Sequence, residues 1–152
     1  MGKDSQDRRR MRMVEATKEY IGVPYKLGGR SKRGIDCFWL IVDMMKKQGK
    51  SLPEDLKVGK YNLGNYTKLF SPDTSLEERK LIIAGFFEKY FDEINPGRAF
   101  VGDMALLETR GMVAAGVLVG NDNVMLMFET SGVKVVPMNK FGPNRWRFFR
   151  CR

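Results

Sequence analysis

The sequence predicts an α+β domain in which helices come first and an antiparallel sheet follows. Three observations carry this expectation. The early part of the chain holds three segments of helical composition, whereas the last third turns to short apolar or alternating runs. Those runs are separated by turn signals such as Gly120-Asn121-Asp122-Asn123 and Ser131-Gly132. At 152 residues the chain can fill one core well but not two, so 1–152 is read as a single domain.

Residues 1–12 are read as a basic N-terminal extension that overlaps a first helix over 7–21. That helix has Met11, Val14, Ala16 and Tyr20 as its apolar positions and stops at Gly22 and Pro24. Residues 23–36, dense in Gly and charge, read as an irregular loop. Asp36 can cap the apolar segment 37–48, which Gly49 ends, so Cys37 falls on the first turn of a buried helix. Residues 50–74 are punctuated by Pro and Gly and form a loop-rich insert. Ser75 with Glu78 makes a capping box in front of a third helix that ends at Asn95-Pro96-Gly97. The strands that follow cover 104–107, 112–119, 124–128, 133–136 and 145–149, and are expected to form an antiparallel meander.

Hydrophobic residues make up 43% and charged residues 30%, within the range of folded globular chains. No stretch approaches the roughly 20 apolar residues that span a bilayer, and the polar, basic start lacks an apolar signal core. The expectation is a chain made in the cytoplasm without a signal peptide and without a membrane partner. Two cysteines and no histidine supply neither a disulfide framework nor a zinc ligand set, so no metal and no cofactor is expected. The formal charge of +9 favours a polyanionic partner such as nucleic acid, anionic wall polymer or acidic membrane. Positive charge clusters at 8–12, 30–33 and 145–152. A solvated basic face explains these clusters best, and nucleic acid ranks last among the partners.

A thiol at a helix N-terminus meets unpaired backbone N–H groups and the positive end of the helix dipole, which favour the thiolate. Cys37 is therefore placed as a nucleophile. It has no histidine to deprotonate it, so the chain cannot run cysteine-histidine chemistry.

The string around Cys37 is more specific than its position. Gly22-Val23-Pro24-Tyr25-Lys26-Leu27-Gly28-Gly29, then Gly34-Ile35-Asp36-Cys37, then Leu40-Ile41, Gly49 and Leu52-Pro53, resembles the N-terminal signature of NlpC/P60 cysteine peptidases. The resemblance continues in order through Pro96, Gly102-Asp103-Met104-Ala105-Leu106-Leu107, Ala115-Gly116-Val117-Leu118-Val119-Gly120 and Ser131-Gly132-Val133. It implies a papain-like NlpC/P60 fold with N-terminal helices packed on the C-terminal sheet. It also implies that Cys37 is the nucleophile and that Tyr25 lies beside the thiol to hold substrate or the oxyanion. Asp36 and Trp39, which flank the thiol region, are the candidate substrate-binding residues.

The same resemblance exposes what is missing. The family histidine should stand two residues before Gly116, where this chain has Ala114, and a methyl group accepts no proton. The third polar residue should fall at Leu126 or Met127, and both are apolar. The small pair usual after the cysteine is replaced by Phe38-Trp39, two rings that would fill a substrate cleft. Asp103, Glu108 and Glu129 are the carboxylates near the sheet, and none matches the family base. Lys26 or Arg30 are the cations available to steady a thiolate. A deliberate substitution of an active enzyme would explain Ala114 alone. Natural loss explains Ala114 together with Phe38, Trp39 and the apolar third position.

The long 50–74 segment, the absent export signal and the terminal Arg145-Trp146-Arg147-Phe148-Phe149-Arg150-Cys151-Arg152 resemble the phage-tail branch of the family. In active members the substrate is the peptidoglycan stem peptide, cut at a D-glutamyl to diamino-acid bond. The implied partners are that stem peptide or an anionic wall polymer, together with tail-tip proteins of a phage-like particle. The expectation is an inactive chain with a structural or wall-binding role, carried in a virion or tail-like particle. The alternative is an active endopeptidase whose catalytic histidine was substituted by alanine.

Overall fold

The structure, a computed structural model, describes residues 3–26, 29–52, 57–58, 61–62, 74–120, 122–142 and 145–152. Helix α1 (Lys3–Tyr20) begins four residues before the expected start, so the basic stretch 8–12 is helical and not a separate extension. Its inner face is Met13, Ala16 and Tyr20, all buried, at the three-and-four spacing of a helix stripe. Met11 and Val14, expected to point inward, are 69% and 42% exposed. The inner stripe is fixed by Tyr20, whose hydroxyl donates to Asp43 of the next helix at 2.8 Å.

The loop expected over 23–36 contains a short hairpin, β1 (Arg30–Ser31) and β2 (Gly34–Ile35). Helix α2 (Cys37–Lys47) follows at once. Asp36 is extended and its Oδ1 accepts from the Trp39 N–H at 3.0 Å, which supplies the expected cap. Six residues of α2 are buried, from Phe38 to Met45, and Gly49 follows the helix with φ +76, in the left-handed region that favours glycine. Within the insert, β3 (Lys57–Val58) pairs with β4 (Tyr61–Asn62); residues 53–56, 59–60 and 63–73 lie outside the described residues.

Helix α3 (Leu76–Tyr90) starts where Ser75 Oγ accepts from the Glu78 N–H at 3.1 Å, half of the expected capping box. It ends earlier than expected. Residues 91–94 leave the helix as β5 (Phe91–Ile94), which pairs antiparallel with the last strand. Strand pairing overrides local helix propensity there, because it buries Phe91 while leaving Asp92 and Glu93 in solvent.

The main sheet runs in the order β5-β10-β6-β7-β8-β9, with every pair antiparallel. Strands β6 (Met104–Glu108), β7 (Val113–Gly120), β8 (Asn123–Phe128) and β9 (Gly132–Pro137) form the expected meander. The final strand β10 (Trp146–Cys151) departs from it and inserts between β5 and β6. The β9 edge is covered by the turn after α1: the Gly22 N–H donates to Val133 O and the Val133 N–H to Val23 O, both at 2.9 Å.

Side chains alternate across the sheet and divide the interior in two. Leu106, Ala115, Val117, Met125, Met127 and Val133 face the helices and join their core. Ala105, Leu107, Ala114, Leu118, Leu126, Trp146 and Phe148 form a second cluster on the other face. Asp103, 2% exposed, ties β6 to β10 by accepting from Arg150 Nε at 2.9 Å and Nη2 at 2.8 Å. The same carboxylate accepts from the Phe100 N–H at 3.0 Å, so it serves the fold and is not free to act as a base.

Candidate active site

Cys37 occupies the first position of α2, as its sequence context requires, and the residue as a whole is half-buried. Its surroundings differ from the expectation of a stabilised thiolate. Cys37 lines a cavity of about 20 Å³ with Phe38, Ile41, Ile82, Ile83, Phe86, Phe87 and Ala115, all apolar. Burial pushes its thiol up to about 12, and the carboxylates of Asp36 and Glu129 push in the same direction. Backbone N–H groups of the first turn act the other way and do not prevail. Desolvation therefore outweighs the helix dipole at this position.

The flanking residues are already engaged. Asp36 is 2% exposed and its carboxylate caps α2. Trp39 is half-buried, with the Arg30 guanidinium stacked 3.5 Å from its ring centroid. Phe38 turns inward, edge-on to Phe86 of α3 at 5.3 Å, and joins the core. Tyr25 does stand near Cys37: burial, then the neighbouring charges of Cys37 and Glu129, hold its phenol above the usual range.

The positions expected for the base and its orienting partner come together, but not with the cysteine. Ala114 and Leu126 belong to the cluster on the sheet face away from the helices, whereas Ala115 shares the cavity with Cys37. Met127, the alternative for the third position, points back to the helix side. Ala114 and Met127 also line an open cavity of about 380 Å³ with Leu76, Arg79, Met112 and Glu129. Arg79 and Glu129 are ion-paired across it. Glu129 acts on Cys37, raising the thiol's pKa while being held by Arg79. Glu108 ends β6 opposite Val113. Neither Arg79 nor Ala115 was singled out from the sequence. Ala115 lies in a continuously apolar run that does not tell one sheet face from the other, and Arg79 is a charge on a helix, so neither carries a signal. Among the described residues no group of three or more His, Cys, Asp or Glu is placed to hold a metal ion.

A helix laid against an antiparallel sheet, with a cysteine in its first turn and a tyrosine near it, defines the class as an α+β domain. The NlpC/P60 family profile matches residues 22–149, and the chain belongs to that family. Among solved structures, the NlpC/P60 domain of the peptidoglycan hydrolase SagA is similar to this chain with a TM-score of 0.55. The match covers 93% of this chain and 97% of that one at 17% identity, a likeness of fold. Comparison with curated protein sequences returns no match.

Proposed function

We propose that this chain is an NlpC/P60 domain that has lost peptidase chemistry and is kept as a peptidoglycan-binding or structural part, at the tail tip of a phage or tail-like particle. The observation that carries the loss of chemistry is Cys37 itself. It sits where the family nucleophile stands, yet its thiol is pushed up to about 12 and faces apolar side chains, in a chain without histidine. A cysteine peptidase needs the opposite: a thiolate, or a base within hydrogen-bond reach of the thiol. Under this reading Cys37, Tyr25 and Ala114 mark the inherited site, and the stem peptide or an anionic wall polymer is the ligand the domain retains. The charge of +9 supports an anionic wall partner. The tail-tip setting rests on the resemblance of the insert and the basic, aromatic end to the phage-tail branch.

The test uses purified peptidoglycan sacculi. The chain is expected to sediment with sacculi and to release no soluble peptide over a long incubation. Release of peptide that disappears in Cys37→Ala would overturn the loss of chemistry. Failure to sediment with sacculi at any salt concentration would overturn wall binding. The particle assignment is checked by probing purified tail particles with antibody against the chain; absence from them would refute it.

A further inference from the structure

Three of the large apolar side chains exposed among the described residues lie on one stripe of α1: Met11 at 69%, Val14 at 42% and Ile21 at 54%. Ile21 continues the helical ladder, since its N–H donates to Thr17 O at 2.9 Å. With Lys18, the stripe reads Met11, Val14, Lys18, Ile21, a spacing of three, four and three residues that extends back to Asp7. That spacing is the seam by which two helices pack at about 20°, knobs into holes. The core of this chain does not use it, because Met13, Ala16 and Tyr20 supply the inner face. Over Asp7 to Ile21 the stripe is about 21 Å long at 1.5 Å per residue, three to four turns, enough for one partner helix.

We infer that this face pairs with the same face of a second copy of the chain, the two α1 helices running antiparallel about the Met11/Val14 step. The charges select that occupant. In the antiparallel register Met11 of each copy meets Val14 of the other, and Asp7 then meets Lys18, twice by symmetry. Arg8 and Glu15, flanking the stripe on one side, are likewise brought opposite each other. A parallel pair sets Lys18 against Lys18 and Asp7 against Asp7 and is disfavoured. In the single chain Lys18 reaches Glu15 at 3.8 Å, an exposed i,i+3 ion pair that exchange across the interface would replace. One helix face buries less area than a standard interface, so the association is weak and concentration-dependent.

Sedimentation equilibrium of the full chain up to about 1 mM tests this. The expected result is reversible monomer–dimer behaviour. The double variant Met11→Glu/Val14→Glu should weaken association at least tenfold, with unchanged circular dichroism and melting because both positions are exposed. Lys18→Glu alone should weaken it about threefold to tenfold by setting like charges together. Lys18→Glu combined with Asp7→Lys should restore it to within about twofold. A monomer throughout the concentration range overturns the inference, as does a dimer indifferent to Met11→Glu/Val14→Glu. A dimer that responds to those changes but is not rescued by the charge exchange overturns the antiparallel pairing.

Discussion

The thiol of Cys37 should make the protein less stable in mild alkali, and the size of the effect follows from its surroundings. Burial holds its pKa at about 12 in the folded chain, against about 9 for a thiol in water. The folded state therefore keeps this proton to higher pH than the unfolded state does. Below about pH 9 the group contributes its full stability; above that, the unfolded thiol ionises while the folded one does not, and stability is lost as pH rises. Integrated from pH 7 to pH 10, this single group costs about 1.4 kcal/mol, with a limiting slope of about 1.4 kcal/mol per pH unit. The assay is urea unfolding at half-unit steps over that range, comparing the chain with Cys37→Ala, both carrying Cys151→Ser because burial also raises the Cys151 thiol. Tyr20 titrates in both proteins and cancels in the difference, and because Tyr25 is coupled to Cys37 both proteins also carry Tyr25→Phe. The expected result is two curves that run parallel at low pH and converge by about 1.4 kcal/mol at pH 10 as the parent loses stability relative to the alanine variant. The same pKa implies about one thiolate in 10⁴ molecules at pH 8, so iodoacetamide should label native Cys37 about a thousandfold more slowly than a free thiol. Parallel unfolding curves to pH 10, or labelling at the free-thiol rate, would refute the claim that desolvation governs this site.

Three further outcomes follow from the same geometry. Ala114→His alone should release no peptide from sacculi, because Ala114 stands on the sheet face away from Cys37; measurable release would mean that the strand turns this side chain toward the thiol. Phe86→Ala should lower unfolding free energy by about 3–5 kcal/mol in urea, since Phe86 is 3% exposed and meets Phe38, Phe87, Tyr90 and Phe91 at 5.3–5.8 Å between ring centroids. A loss below about 1 kcal/mol would show that this aromatic cluster is not the support beneath the cysteine. Gly116→Ala should be more disruptive than its single methyl suggests, because a Cβ there would meet the Met125 carbonyl oxygen of β8 at 1.8 Å; a variant with unchanged melting would contradict the close β7–β8 approach.

The sequence displayed the fold better than the site, for a physical reason that particular residues illustrate. Caps are local: Asp36 and Ser75 act within three residues, so both helix starts were legible. Strands β6 to β9 were legible because their runs are short and apolar or alternating, with turn signals such as Gly120-Asn121-Asp122-Asn123 and Ser131-Gly132 between them. The errors arise where a distant segment decides. Residues 91–94 have helical composition and become a strand only because β10 returns to pair with them. Helix α1 carries two apolar stripes, and which one faces inward depends on Asp43 and the other helices. The thiol of Cys37 is the same problem at a single atom. Its position at the helix N-terminus is local, and the dipole argument drawn from it is sound as far as it goes. What reverses the outcome is burial, and Ile82, Ile83, Phe86 and Phe87 of α3 with Ala115 of β7 line the small cavity that Cys37 also lines. Asp36, the residue that starts the helix, adds a negative charge beside it. An active cysteine needs the first turn of its helix to remain open to solvent or to a base, and in this chain that turn is backed by a phenylalanine cluster. Restoring chemistry would require reopening the packing around Cys37, not only supplying the missing histidine.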